Sequence, residues 1–157
     1  MILIKFIFAM FLGFLPGILG LIVAPMESGQ NVWYNTLASS ALTPAGWVFS
    51  AVWAVLYFFM GLSLFLIMQT NDNRHDKTSA YTLFGINALL NLVWSYVFFG
   101  AHLPEAALIV LGALIVVVIF MAKAFLRINK SAFWLTIPYI VWLMFAFYLN
   151  AMIIYLN

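Results

Sequence analysis

The chain has 157 residues, of which 68% are hydrophobic and only 6% are charged. Soluble domains are about one-quarter charged, so this composition argues against a soluble protein and predicts one that is solvated by lipid. A net charge of +2 argues against nucleic-acid binding, and the absence of Cys excludes disulfides and thiolate metal sites. His75 and His102 are far apart in sequence, so we expect no metal site. We also expect no cofactor.

Five apolar stretches are long enough to cross a bilayer, which takes roughly 20 residues each. They predict an all-α integral membrane protein, a five-transmembrane-helix bundle that forms one domain over residues 1–157. The predicted helices cover about 2–24, 44–69, 80–100, 104–126 and 132–155. Their expected start signals are Thr43-Pro44, Pro104-Glu105 and Ser131, because hydroxyl caps and a first-turn proline favour helix starts.

The basic residues all fall on one side of this predicted bundle. They are Lys5, Arg74, Lys77, Lys123, Arg127 and Lys130. The opposite side holds Glu27, His102 and Glu105 without any Lys or Arg. The positive-inside rule then predicts a multi-pass protein of the cytoplasmic membrane, with its N-terminus inside and its C-terminus outside.

The predicted spans contain no carboxylate and no His. Acid–base catalysis needs a titratable group at the reacting centre, and ion pathways normally carry an intramembrane charge. Hydrolases, proteases and ion pumps are therefore weak hypotheses. Asn87 and Asn91, four residues apart, share one helix face. They serve either as interhelical hydrogen-bond partners or as polar contacts for a ligand.

Aromatic residues are concentrated between Trp33 and Gly61. Phe49, Trp53 and Tyr57 recur at four-residue steps, which places them on one face of the second predicted span. At 1.5 Å per residue, Trp53 and the fifth-span Trp142 lie roughly 14 and 20 Å from the same bilayer surface. Two indoles at similar depth suit a cavity for a flat, apolar, conjugated ligand. Ordinary helix packing is the alternative explanation.

Four blocks of residues resemble one known family. They are Trp33-Tyr34-x-x-Leu37, the Thr43-Pro44 to Met60-Gly61 stretch, Asn91-x-x-Trp94-Ser95-x-x-Phe98-Phe99-Gly100, and Pro138-Tyr139-x-x-Trp142-x-x-Phe145-Ala146-x-x-Leu149-Asn150. In this order and together, they resemble the translocator protein / tryptophan-rich sensory protein family, also known as the peripheral-type benzodiazepine receptors. The blocks fall on four of the five predicted spans in family order, so the resemblance covers the whole chain.

The resemblance implies a homodimer of five-helix bundles in the lipid bilayer. It implies a pocket that opens toward the loop between the first two spans and binds tetrapyrroles such as protoporphyrin IX. Trp53 and Trp142 match the paired pocket tryptophans of the family. Phe49, Tyr57, Asn91, Phe145 and Ala146 match other pocket positions, and Trp33 and Tyr34 match the loop that covers the pocket. With Asn87 added from its helix face, these are the predicted ligand-binding residues.

The predicted function is a membrane receptor or carrier for porphyrin-like ligands, with a role in tetrapyrrole handling or stress sensing. One alternative is a light- and oxygen-dependent porphyrin-degrading enzyme in which Trp53 and Trp142 take part. Another is a ligand-free membrane interaction protein. The chain departs from the family at Ser39 to Ala45, where a Lys, a Trp and prolines are missing. This departure predicts a more mobile covering loop.

Overall fold

A computed structural model describes residues 2–23, 32–71 and 74–157 of the chain. Its elements are helices, and five of them are long and apolar enough to cross a membrane, which confirms the predicted fold class. The helices are α1 (Ile2–Val23), α2 (Val32–Thr36), α3 (Gly46–Gln69), α4 (Arg74–Ser95), α5 (Pro104–Ile128) and α6 (Lys130–Leu156). A π-helical turn, Tyr96–Gly100, continues α4.

The helix starts were only partly predictable. α5 begins at Pro104 with Glu105 in its first turn, as predicted. The prediction of Thr43-Pro44 as the start of α3 is wrong: the Thr43 amide closes a turn onto the Ser40 carbonyl, and α3 begins two residues after Pro44. The prediction of Ser131 as a cap is also wrong. Asn129 caps α6 instead, since its Oδ1 accepts from the Ala132 amide (3.1 Å).

Other boundaries differ by smaller shifts. α4 starts at Arg74 rather than at 80, and α5 extends to Ile128 rather than to 126. The short helix α2, in the connection between α1 and α3, was not predicted. Position 24, the predicted end of the first span, lies outside the described residues.

The five long helices form a closed ring. Around the ring the order is α1, α3, α6, α5 and α4, each packed on the next, and α4 packs back on α1. α2 lies at the end where α1 ends, α3 begins and α6 ends; we call this the α2 end. Lys5 and Gln69 lie at the opposite end, where the Lys5 ammonium reaches the Met68 carbonyl (3.4 Å).

α1 and α3 meet backbone to backbone. A Cβ added at Gly13 would lie 2.6 Å from both the Cα and the nitrogen of Gly61. Contacts this close exist only where neither helix carries a side chain, which is how small residues bring membrane helices together. The Gly13–Gly61 crossing therefore fixes how closely α1 approaches α3.

We predict that Gly13→Ala weakens the bundle, because the added methyl group forces the two backbones apart. Overpacking of this kind costs about 1–3 kcal/mol of unfolding free energy. The matched control is Gly85→Ala in α4, where nothing lies within 4 Å of the added Cβ. Thermal unfolding in detergent micelles should show a lower midpoint for Gly13→Ala and no loss for Gly85→Ala. Equal midpoints for the two variants would contradict the close crossing.

Candidate functional site

A cavity of about 920 Å³ lies inside the ring at the α2 end. Its wall is built from α1, α2, α3, α4 with its π-helical turn, and α6. The lining residues with aromatic rings are Phe14, Tyr34, Trp47, Phe49, Trp53, Tyr57, Trp94, Phe98 and Phe99. No Lys, Arg, Asp, Glu or His is found among the lining residues that the structure describes. The cavity lining is therefore uncharged and rich in aromatic side chains.

Trp53 is the centre of the aromatic wall. Only 7% of its surface is exposed. Its neighbours on α3 are Tyr57, with ring centroids 5.4 Å apart, and Phe49 at 6.1 Å. From α4, Trp94 stacks on it at 6.0 Å. Because rings from two helices hold Trp53, its orientation is fixed before any ligand arrives.

The π-helical turn at the end of α4 supplies the rest of this wall. Trp94 stacks on Phe98 (5.6 Å), and Phe98 and Phe99 pack edge to face (4.8 Å). π-helical turns have i→i+5 hydrogen bonds, occur as single turns within α-helices and are frequent at functional sites. Gly100 ends the turn against α1, since a Cβ there would lie 2.7 Å from the Val23 carbonyl oxygen.

A chain of hydrogen bonds forms the polar floor of the cavity. The Tyr57 hydroxyl donates to Asn91 Oδ1 (2.9 Å), and Asn91 Nδ2 donates to the Tyr139 hydroxyl (3.0 Å). The Tyr139 hydroxyl donates in turn to Asn87 Oδ1 (3.0 Å). This polar floor, the four residues Tyr57, Asn91, Tyr139 and Asn87, joins α3, α4 and α6. Both predicted amides thus bond between helices, and Asn91 also lines the cavity.

Asn150 makes a second link between helices beside the cavity. Its Oδ1 accepts from the Trp94 indole (3.4 Å), and its Nδ2 donates to the Pro104 carbonyl (2.9 Å). The amide therefore holds α4, α5 and α6 together while its residue lines the cavity. The Trp53 indole differs: its Nε1 is buried and has no hydrogen-bond partner.

α2 covers part of the cavity. Tyr34 lines it, with its ring 5.8 Å from Phe99, and burial raises the pKa of Tyr34. Trp33 points elsewhere and stacks on His102 (4.4 Å, 13° between planes). His102 has a positive φ of 57°, a conformation in which His is found more often than most residues.

The segment after α2 is bonded to α6. The Ala38 amide donates to Asn157 Oδ1 and the Ala38 carbonyl accepts from Asn157 Nδ2, both at 3.0 Å. The Ser40 and Tyr148 hydroxyls lie 3.1 Å apart. These bonds attach the segment to α6, and a more mobile covering loop stays a prediction.

Comparison with known proteins identifies the family. The family model described as TspO/MBR family matches residues 7–156. The chain belongs to the TspO/MBR family. Similar relatives are the tryptophan-rich protein TspO of Chlorobaculum tepidum, 36% identical over 80% of this chain and 79% of that protein, and that of Archaeoglobus fulgidus, 34% identical over 81% of each. The translocator protein of Bos taurus is 28% identical over 87% of this chain and 82% of that protein.

As a TspO/MBR family member with five apolar helices, the protein is an integral multi-pass membrane protein. Only some of the predicted ligand-binding residues line the cavity. Six of them line it: Tyr34, Phe49, Trp53, Tyr57, Asn91 and Ala146. Asn87 lies below it in the polar floor, and Trp33 stacks on His102. Their roles toward a ligand stay predictions.

Trp142 and Phe145 are not among the residues that line the cavity. The Trp142 ring packs on Phe145 (5.4 Å) and on Phe49 (5.8 Å), so Phe49 lies between the two tryptophans. The Trp142 indole nitrogen is buried without a partner, as in Trp53. Trp142 therefore supports the cavity wall through Phe49.

Sequence reasoning missed the part of the wall that α1 and the π-helical turn contribute. The lining residues of α1 are Phe14, Pro16, Gly17, Ile18, Gly20 and Leu21. The spacing of Gly13, Gly17 and Gly20 was the available signal, because small residues leave room beside a helix. Among the described residues, no group of three His, Cys, Asp or Glu side chains is placed to hold a metal.

We predict that the polar floor stabilises the bundle through Asn91. Asn91→Leu breaks two of its hydrogen bonds and leaves the Tyr57 hydroxyl without its acceptor, which should cost about 1–2 kcal/mol of unfolding free energy. Tyr57→Phe breaks only the first bond and should cost less. Unfolding in mixed micelles with increasing denaturing detergent measures both. An Asn91→Leu variant as stable as the wild type would contradict this role.

Proposed function

We propose that this protein is a membrane receptor or carrier that binds porphyrin-like tetrapyrroles in the aromatic cavity. One observation carries the proposal. Protein interiors are close-packed and rarely contain voids larger than a water molecule, yet this small bundle holds a partly open cavity of about 920 Å³. Ligand pockets span about 300–1,000 Å³, so the cavity has room for a large ligand. A protein that used its aromatic residues only for packing would have filled this space.

The lining supports a flat, conjugated ligand. Trp53, Trp94 and Phe98 form a continuous stack, with successive centroids 6.0 and 5.6 Å apart. Aromatic faces bind one another by offset stacking or edge contacts in addition to apolar burial. A tetrapyrrole macrocycle offers such a face over a large area.

The cavity lining favours a ligand whose macrocycle is uncharged and whose charged groups stay near water. Without a lysine or arginine among the described lining residues, no salt bridge compensates for burying a carboxylate. The carboxylates of a protoporphyrin would therefore remain at the α2 end, where Asn35 lines the cavity.

Two relatives, the tryptophan-rich sensory protein of Cereibacter sphaeroides and the translocator protein of Bos taurus, support by their names a role in sensing or transfer rather than in catalysis. The aromatic cluster also suits a light- and oxygen-dependent degradation of the ligand. That activity would require binding first, so binding is the simpler hypothesis. A homodimer and a cytoplasmic-membrane location, with the N-terminus inside, complete the proposal.

We predict that protoporphyrin IX binds saturably to the detergent-solubilised protein and that Trp53→Phe weakens binding about tenfold, which is about 1.4 kcal/mol. Trp142→Phe should weaken it less, because Trp142 acts through Phe49. The control is Trp134→Phe, since Trp134 is exposed and does not line the cavity. Titration followed by the Soret absorption of the porphyrin measures all four proteins.

Two results would overturn the proposal. One is a porphyrin titration that never saturates. The other is a saturable titration in which Trp53→Phe and Trp134→Phe bind with equal affinity, because the porphyrin would then bind outside the cavity.

A further inference from the structure

The outer edge of the cavity lies where α1 separates from α3. The helices touch at Gly13 and Gly61, and a Cβ at Gly17 would still lie 2.4 Å from the Tyr57 ring of α3; further toward the α2 end α1 approaches α4 instead. A Cβ at Gly20 would lie 3.1 Å from the Ser95 hydroxyl oxygen. At the start of α3, by contrast, nothing lies within 4 Å of a Cβ added at Gly46. α1 and α3 therefore diverge from their crossing toward the α2 end.

The residues along this gap belong to two surfaces at once. Ile18 and Leu21 of α1 and Trp47 and Ala54 of α3 line the cavity. The same side chains have large exposed fractions, 64% for Leu21 and 76% for Trp47. Cavity-lining residues this exposed on both helices indicate that the cavity wall is open between α1 and α3. We call this opening the α1–α3 slot.

The α1–α3 slot faces the hydrocarbon of the membrane. Ala54 is eight residues into α3, which is about 12 Å along the helix axis at 1.5 Å per residue. The hydrocarbon core is about 30 Å thick, so this depth lies inside it. The exposed side chains of Ile18, Leu21, Trp47 and Ala54 around the slot are apolar, and the exposed Ser50 hydroxyl donates to the Gly46 carbonyl (3.1 Å).

We propose that the α1–α3 slot opens the cavity sideways to the bilayer, and that ligands and lipid acyl chains pass through it. The porphyrin part of this inference rests on the proposed function; the entry of acyl chains does not. A flat apolar macrocycle dissolves in hydrocarbon far better than in water. A ligand dissolved in the bilayer therefore reaches the cavity through the α1–α3 slot without first entering water.

Ala54 offers a way to close the slot. Ala54→Trp places an indole in the opening without touching the polar floor. The matched control is Ala113→Trp on α5, because Ala113 is also an exposed alanine within a span and does not line the cavity. Ser50→Trp, one turn from Ala54 and also exposed at the cavity, is a second closing variant if Ala54→Trp does not fold.

The first experiment uses no porphyrin. The proteins are reconstituted into phosphatidylcholine vesicles that contain a phosphatidylcholine with a photoreactive diazirine in the middle of one acyl chain. After illumination, mass spectrometry locates the adducts. We expect adducts on the cavity residues Trp53 and Tyr57 in the wild type and in Ala113→Trp, and their loss in Ala54→Trp. Adducts on the exposed Val116 should persist in all three.

The second experiment measures exchange of protoporphyrin IX between vesicles and reconstituted protein by stopped flow. We expect Ala54→Trp to slow both association and dissociation at least about tenfold, which is about 1.4 kcal/mol of added barrier. Ala113→Trp should leave both rates unchanged.

The two experiments separate two kinds of failure. Wild-type adducts confined to side chains exposed on the outside, or cavity adducts that survive in the closing variants, would overturn the slot, and so would unchanged exchange rates in Ala54→Trp. Absence of any porphyrin binding, together with cavity adducts, would overturn the proposed function and leave the slot supported.

Discussion

The contact between the Gly13 and Gly61 backbones determines the shape of the rest of the molecule. With no side chain on either helix at the crossing, α1 and α3 touch directly, and a Cβ on Gly13 would be 2.6 Å from Gly61. Beyond this crossing, α1 still contacts the Tyr57 ring of α3 at Gly17 and then lies against Ser95 of α4 at Gly20. The bundle is therefore closed at the crossing and open toward the α2 end. The cavity and the α1–α3 slot both follow from this one approach.

Inside the bundle, polar side chains hydrogen-bond one helix to another, and aromatic side chains form much of the cavity wall. The polar floor uses four side chains from three helices, and Asn150 adds a second interhelical link. These bonds satisfy groups that would be costly to bury alone. Nine of the 25 residues that line the cavity have aromatic rings, and none of these 25 is charged. Selectivity in such a site comes from shape and stacking rather than from charge.

The five membrane spans could be predicted from the sequence, and so could the aromatic face of α3 that lines the cavity. Phe49, Trp53 and Tyr57 repeat every four residues, and this spacing alone puts them on one face of α3. The start of α5 at Pro104 could also be predicted, since proline is common at the first position of a helix. Asn129 was missed as a cap because a hydroxyl residue, Ser131, stood close by and is an equally good cap in isolation.

The relation between Trp53 and Trp142 shows where sequence reasoning ends. Depth along a helix follows from counting residues, so their similar level in the membrane could be predicted. The rotation of each helix about its axis depends on packing with its neighbours, and the sequence does not state it. In the structure that rotation places Trp53 in the wall and Trp142 behind Phe49. The π-helical turn was missed for a similar reason, since Tyr96–Gly100 reads as an ordinary apolar helix end.

The central claim is that a large aromatic ligand binds inside the cavity in contact with Trp53 and Trp94. Fluorine NMR of protein labelled with 5-fluorotryptophan tests it directly, because the six tryptophans give separate signals that single substitutions assign. On titration with protoporphyrin IX, we expect the Trp53 and Trp94 signals to shift strongly through the ring current of the macrocycle and the Trp134 signal to stay in place. Shifts of similar size at all six tryptophans, or at Trp134 alone, would contradict binding inside the cavity.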